Sequence, residues 1–311
     1  MAEALGARQT EGPPWKGAAF VLGAALSWGL VSTLVKLLFN RDEVTPASLT
    51  AVRISIAFLL LLTILGPRRR GRLLVRRDDL PLLCVMGSVG LAANGYCFYK
   101  TLSVTNVATA VLLADLSPIF LALSEGVILG RWPPRPTRAA IGLAVGGCFI
   151  LVKGYEPAAL RLNLPGLAFG LATAVAFAVF SVTAQRAMRR YDAWTVLLYG
   201  YGVATLTWWV AVPPWTLITA GYRPALWATF VALAVGGTLL PFSLFIRGLA
   251  YLSPTHATIL NTMEPVIAAG VAYLVLGETM APGQYAGALL VLAAVVLVQL
   301  WPAALPRRGD G

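Results

Sequence analysis

The chain has 311 residues, of which 58% are hydrophobic and only 12% charged, against roughly 25% charged in an average soluble domain. That balance excludes an ordinary water-soluble globule and points to a bilayer. The formal net charge of +11 sits in short arginine clusters between apolar runs and not on one polar face, which argues against a nucleic-acid surface.

A polar tail of residues 1-16 comes first, and the run that follows has no convincing small-residue cleavage site, so it reads as a retained first helix. A helix needs about 20 apolar residues to cross the hydrocarbon core. Runs of that kind fall near 17-39, 46-66, 79-101, 105-129, 136-153, 164-186, 193-212, 225-247, 254-276 and 282-301, followed by a short tail, 302-311. The expected fold is therefore all-α and polytopic, with ten transmembrane helices. Cys84, Cys97 and Cys148 lie inside these runs without a CxxC or a histidine pair beside them, so no disulfide, metal or other cofactor is expected.

Arginine and lysine orient the stack, because basic loops near span ends stay cytoplasmic. Arg8 and Lys16, the clusters at 68-77, 131-138 and 186-190, and Arg307 with Arg308 fall on one side. Lys36, Arg41, Lys100, Lys153, Arg161 and Arg223 are all that the other side carries. Both termini are expected in the cytoplasm.

The chain also repeats itself. Phe98 to Leu151 lies without a gap over Phe245 to Val298, with Leu102 on Leu249, Ala110 on Ala257 and Pro118 on Pro265. A weaker match lays Gly17, Phe20, Ala25 and Ser32 over Gly166, Phe169, Ala174 and Ser181. Two halves of five spans each must enter the membrane from opposite sides, so the repeats are inverted, at 17-153 and 164-301. Inverted repeats place a substrate site near the midplane where the halves meet.

Arg53 early in span 2, the stretch Ala108 to Leu121 with Leu-Ser-Pro at 116-118, and MEPVIAAGVAYLVLGE at 263-278 resemble the drug/metabolite transporter superfamily and its EamA-type ten-helix members. Glu278 follows the second Leu-Gly pair, whereas Arg131 follows the first, so a role needing that acid in both halves is in doubt. The resemblance implies a bacterial inner-membrane carrier, often an exporter of amino acids or other small metabolites. It also implies a central cavity lined by spans 1, 3, 4, 6, 8 and 9.

A charge at a helix centre costs about 2.5 to 3.5 kcal/mol on insertion scales, so each one within a span needs a reason. Glu264 is the strongest candidate. Pro265 after it removes the amide that would bond the Asn261 carbonyl, and Asn261, Glu264 and that carbonyl together suit an ammonium group or a proton. Asp115, three residues before Pro118, is the acid of the first half, and with Arg53 and Lys100 it would make an outer gating pair. His256, the only histidine, could couple to protons. For each of these the competing reading is structural: a kink with mutually satisfied groups, a static pair, or an interfacial ring bonded to a carbonyl. Glu125 and Arg247 read as end-of-helix groups. Trp28 and Tyr96 are cavity candidates with Asn94 to orient a ligand. Trp208, Trp209, Trp215, Trp227 and Trp301 read as interfacial anchors. Gly142, Gly146, Gly147 and Gly287 read as close-packing positions.

No phosphate-binding loop, dinucleotide fingerprint, HExxH or nucleophile-base pair is present. The expected activity is secondary transport of a small organic metabolite, amino acids among the candidates, by alternating access and with protons as a candidate coupling ion. The partners are then the solute, the lipid bilayer and protons, and no nucleic acid. The alternatives are a nucleotide-sugar or sugar-phosphate exchanger, for which cavity cations are scarce, a membrane enzyme acting on lipid-linked substrates, and a passive channel.

Overall fold

The computed structural model describes residues 13–40, 44–69, 74–105, 107–124, 132–151, 153–156, 164–267, 270 and 281–300. Arg8, Arg41, Arg70, Arg72, Glu125, Arg131, Arg161, Glu278, Trp301, Arg307, Arg308 and both terminal tails lie outside them.

Hydrocarbon offers no partner for backbone amides and carbonyls, so a spanning chain must satisfy them within each segment. The described residues are accordingly helical: α1 (Pro14–Asn40), α2 (Pro46–Arg69), α3 (Arg77–Val104), α4 (Val107–Ala114), α5 (Ser117–Leu123) and α6 (Arg135–Leu151) in the first half. The second half holds α7 (Leu164–Met188), α8 (Ala193–Ala211), α9 (Pro214–Thr219), α10 (Pro224–Gly248), α11 (Pro254–Asn261) and α12 (Pro282–Leu300). Helix α1, α2, α3, α7 and α10 each carry a stretch long and apolar enough to cross a membrane. Every predicted span has a helix at its place, and span 4 is two helices, α4 and α5. The short α9 was not foreseen, since Pro213-Pro214 reads as a break when it also presents proline at a first helical turn, where it is tolerated.

Two local signals set helix starts. Asp192 accepts from the amides of Trp194 and Thr195, at 3.0 Å each, to begin α8, and Ser253 accepts from the His256 amide at 3.3 Å to begin α11. These caps satisfy amides that the first turn leaves free.

The packing obeys the repeat. Helix α1 packs on α10 and α3 packs on α7, two pairings that become each other when the halves are exchanged. The pairs α2 with α8 and α6 with α12 map onto themselves. A π-helical segment interrupts α3 at Met86–Ala93, and another interrupts α10 at Val235–Leu239, the matching place in the repeat register. Inside them sit Gly90 and Gly237, also repeat partners. A Cβ on Gly90 would lie 2.9 Å from Phe180 Cα, and one on Gly237 would lie 2.9 Å from Val31 Cγ1. Val31 and Phe180 are partners in turn, so the same close approach is built twice. Helices α6 and α12 meet at Gly147, whose missing Cβ lets the Gly287 carbonyl approach, the small-residue contact expected from the sequence.

Spans 4 and 9 break where their prolines demand. The helix stops at Asp115-Leu116 ahead of Pro118 and at Thr262 ahead of Pro265, because each proline removes an amide and crowds the preceding turn.

At the end of the bundle where α3 begins and α7 finishes, Asp79 is held from three sides. The Arg190 guanidinium reaches its Oδ1 at 2.6 Å, the Tyr191 hydroxyl donates to its Oδ2, and the Arg76 amide donates to the Tyr191 oxygen at 3.0 Å. Burial and the Asp79 carboxylate push the Tyr191 hydroxyl above the usual tyrosine range, so it stays a donor near neutral pH.

Candidate functional site

The breaks in spans 4 and 9, the π segment in α10 and the turn that follows the π segment in α3 all open onto one cavity, with an empty volume of about 710 Å³. Its walls come from α1, α2, α3, the α4–α5 junction, α7, α10 and span 9. Six of the eight predicted site residues line it: Trp28, Arg53, Asn94, Asp115, Asn261 and Glu264. They come from five different spans, so no single local motif brings them together; the repeat packing does.

The floor is aromatic. Trp28 stands edge-on to Phe242 with ring centres 5.1 Å apart and edge-on to Phe177 at 5.8 Å. Phe180 and Phe245 back these rings, and Phe177 lies 4.9 Å from Phe245. Such edge and tilted contacts are the favoured geometry for aromatic pairs.

Polar groups are set into this apolar wall at two poles. At one pole is Arg53, whose guanidinium lies 4.6 Å over the Tyr99 ring and reaches the Gly237 carbonyl at 3.4 Å. Gly95 makes room for it, since a Cβ there would come within 2.8 Å of Arg53 Nη2. In this conformation Arg53 is engaged by a ring and a carbonyl and not by Asp115, so the expected outer ion pair is not formed among the described contacts. At the other pole are Asp115, Asn261 and Glu264. The Cys148 thiol sits 3.9 Å from Asp115 Oδ2 and 3.9 Å from the Thr262 carbonyl, bridging the two helix breaks.

All four polar residues are deeply buried, with exposures of 7% for Arg53, 5% for Asp115, 6% for Asn261 and 8% for Glu264. Yet Arg53 Nε and Asn261 Oδ1 have no hydrogen-bond partner. A buried unpartnered donor or acceptor costs about 1 to 3 kcal/mol, so one of each in a single cavity is the arrangement expected of a site awaiting a ligand. Asn94 donates through Nδ2 to the Thr173 carbonyl at 3.1 Å, which fixes its amide at the wall.

Two predicted residues stand elsewhere. Tyr96 packs its ring on Phe169 and Trp208, at 5.8 and 5.4 Å between centres, facing α7 and α8 and not the cavity. Two and three positions later on the helix, Phe98 and Tyr99 take the lining role. His256 is buried at the start of α11, its Nδ1 2.7 Å from the Ser253 hydroxyl, and does not line the cavity. Trp208 is a correction of another kind: it is buried, not interfacial, and its indole donates to the Ala92 carbonyl at 3.2 Å, a bond available because the π segment loosens α3 there. Arg247 lies over the Trp194 ring at 4.9 Å, an end-of-helix anchor as read. Lining residues with no signal of their own include Thr173 and Phe242.

A multi-pass α-helical membrane protein made of two like halves, closed around a buried polar cavity and holding no reactive cluster among its described residues, is the architecture of a carrier. The chain belongs to the EamA-like transporter family, whose model matches it twice, at residues 15–153 and 164–300. It is 29% identical to the inner membrane transporter YicL of Salmonella typhimurium, over 92% of this chain and 95% of that one. It is 29% identical to the threonine/homoserine exporter RhtA of Escherichia coli, over 93% and 91%, and 25% identical to the pseudopaline exporter CntI of Pseudomonas aeruginosa, over 88% and 92%. A solved crystal structure at 19% identity superposes with a TM-score of 0.71 over 93% of this chain and 99% of the other, which supports the fold.

Proposed function

We propose that the protein exports a compact zwitterionic metabolite, an amino acid or a close derivative, across the bacterial inner membrane by alternating access. The observation that carries this reading is the polarity of the cavity. A carboxylate fits the Arg53 pole, where Nε lacks a partner, and an ammonium fits the pole of Asp115, Glu264 and the unpartnered Asn261 Oδ1. The apolar floor of Trp28, Phe177 and Phe242 suits a small side chain. Names of relatives that export threonine, homoserine and pseudopaline agree with outward movement of such molecules.

Two carboxyl groups in one cavity can exchange a departing ammonium for a proton, so we also infer proton coupling. The basic loops would then lie in the cytoplasm with both termini. A phosphate dianion is not favoured, because Arg53 is the sole cation in the cavity wall among the described residues and such ligands call for several.

The test is counterflow in proteoliposomes of a labelled amino-acid pool into vesicles loaded with the same pool unlabelled. Saturable uptake is expected, with Glu264→Gln and Arg53→Gln each lowering apparent affinity about ten- to hundredfold, the effect of one charged contact of about 1.5 to 3 kcal/mol. Uptake that ignores both substitutions would remove this site from the cycle. Absence of any flux under imposed solute or pH gradients would overturn transport of amino acids.

A further inference from the structure

The cavity leans to one half of the bundle and passes the middle at Phe242 and Asn261. On α1 and α3 its lining residues, Ser32, Val35 and Tyr99 among them, lie in the second half of each helix; on α7 Thr173 lies in the first half and Phe177 beside the midpoint. Since α7 runs opposite to α1 in the inverted repeat, these positions share one side of the membrane, the outer side under the proposed orientation. Carried through the repeat register, Ser32, Val35 and Tyr99 fall on Ser181, Ala184 and Ile246. All three are 0% exposed. Two halves with one packing pattern have two equivalent arrangements, and the filled half marks where the second cavity would open.

What closes the filled half is not symmetric. Asp79 at the start of α3 belongs to the first repeat, and Arg190 and Tyr191 after α7 belong to the second, so their cluster ties the halves together at the cytoplasmic end. The repeat partner of Asp79 is Leu226, a buried apolar residue at the start of α10. The register therefore puts no carboxylate at the position that matches Asp79. The cluster as built forms only while that end is closed, so its charge-assisted hydrogen bonds favour this arrangement.

We propose that Asp79, Arg190 and Tyr191 form a latch that holds the cytoplasmic side shut and sets the resting protein facing outward, and that its release exposes Ser181, Ala184 and Ile246 to the cytoplasm. This rests on the carrier reading. For an exporter it makes latch opening the step that admits substrate. Exposed ion pairs contribute little alone, but here Asp79 is buried and also holds the tyrosine, which in turn is fixed by the Arg76 amide.

The test uses the full chain with Cys84, Cys97 and Cys148 replaced by serine, and a single reporter, Ala184→Cys or Val35→Cys. A membrane-impermeant maleimide is applied to inside-out vesicles for the first and right-side-out vesicles for the second. Asp79→Asn is expected to speed labelling of Ala184→Cys roughly fivefold and to slow labelling of Val35→Cys, as loss of one charge-assisted contact shifts a two-state equilibrium. Asp79→Arg combined with Arg190→Asp is expected to return both rates toward the starting values. Opposite changes at the two reporters distinguish a shifted equilibrium from unfolding, which would speed both. Unchanged rates, or faster labelling at both sites, would overturn the latch. Counterflow with the parent chain and its Asp79→Asn variant, native cysteines and Val35 retained, separates the two readings: flux with unchanged labelling leaves the carrier and sinks the latch, whereas opposite labelling changes without amino-acid flux in the parent keep the latch and sink the proposed substrate.

Discussion

The two repeats solve one structural problem with two different residues. Helix α3 ends near Leu102 and Thr105, and Lys36 of α1 donates from Nζ to both carbonyls at 2.7 Å. Helix α10 ends near Leu249 and Leu252, and Gln185 of α7 donates from Nε2 to both of those, at 3.5 and 3.0 Å. Leu102 and Leu249 are repeat partners, as are Thr105 and Leu252, and Lys36 and Gln185 occupy the same register. The last carbonyls of a helix have no amide of their own, so what the duplication preserves is a donor at that point. Its charge is free to differ. The same holds at the helix breaks, where LADLSP and LNTMEP share the proline while the acid moves from three residues before it to one.

The comparison predicts an order of stability effects. The largest falls at Gly90, where a new Cβ meets the backbone of Phe180, against Gly237, where it meets the end of the Val31 side chain. Backbone cannot yield as a side chain does, so Gly90→Ala is expected to destabilise by about 3 kcal/mol or more and Gly237→Ala by less than about 1.5 kcal/mol. Thermal unfolding in one detergent measures both; equal losses would mean that the Phe180 backbone gives way as readily as the Val31 side chain.

Next comes the capping pair itself. Lys36→Met removes a charged donor from two carbonyls and is expected to cost about 1.5 to 3 kcal/mol, whereas Gln185→Leu removes a neutral donor worth about 1 kcal/mol. Lys36→Gln should recover part of the loss, since the neutral amide already serves the partner site. If Lys36→Gln were as damaging as Lys36→Met, the cation would have a task at that end of the bundle beyond capping.

Much of this was legible in the chain. Apolar run length located the spans, the internal match gave the two halves, and the cost of charge in hydrocarbon singled out Arg53, Asp115 and Glu264, all of which line one cavity. What stayed hidden depends on where a helix is rotated or unwound. The π segments carry no composition signal, yet Met86–Ala93 sets which residues of α3 face the cavity and frees the Ala92 carbonyl for Trp208. The Asp79 cluster was hidden for a different reason: Asp79 and Arg190 are far apart in sequence, and each alone reads as an ordinary loop charge.

The smallest expected effect decides whether the rotation of α3 is right. Trp28 and Tyr96 were equal candidates as aromatic cavity residues, but the Trp28 ring lines the void beside Phe242 and Phe177, whereas Tyr96 packs on Phe169 and Trp208. Tyr96→Phe keeps both ring contacts and should leave counterflow affinity within about twofold of the parent, because a group outside the site changes ligand binding only through displacement of its neighbours. Trp28→Ala removes an aromatic wall from the void and should weaken apparent affinity by about tenfold or more, equivalent to about 1.4 kcal/mol. If Tyr96→Phe instead matched the Trp28→Ala loss while thermal stability held, the hydroxyl would have to reach substrate. That would require α3 to turn by most of a residue, and Phe98 and Tyr99 would leave the cavity wall together with the ring on which Arg53 rests.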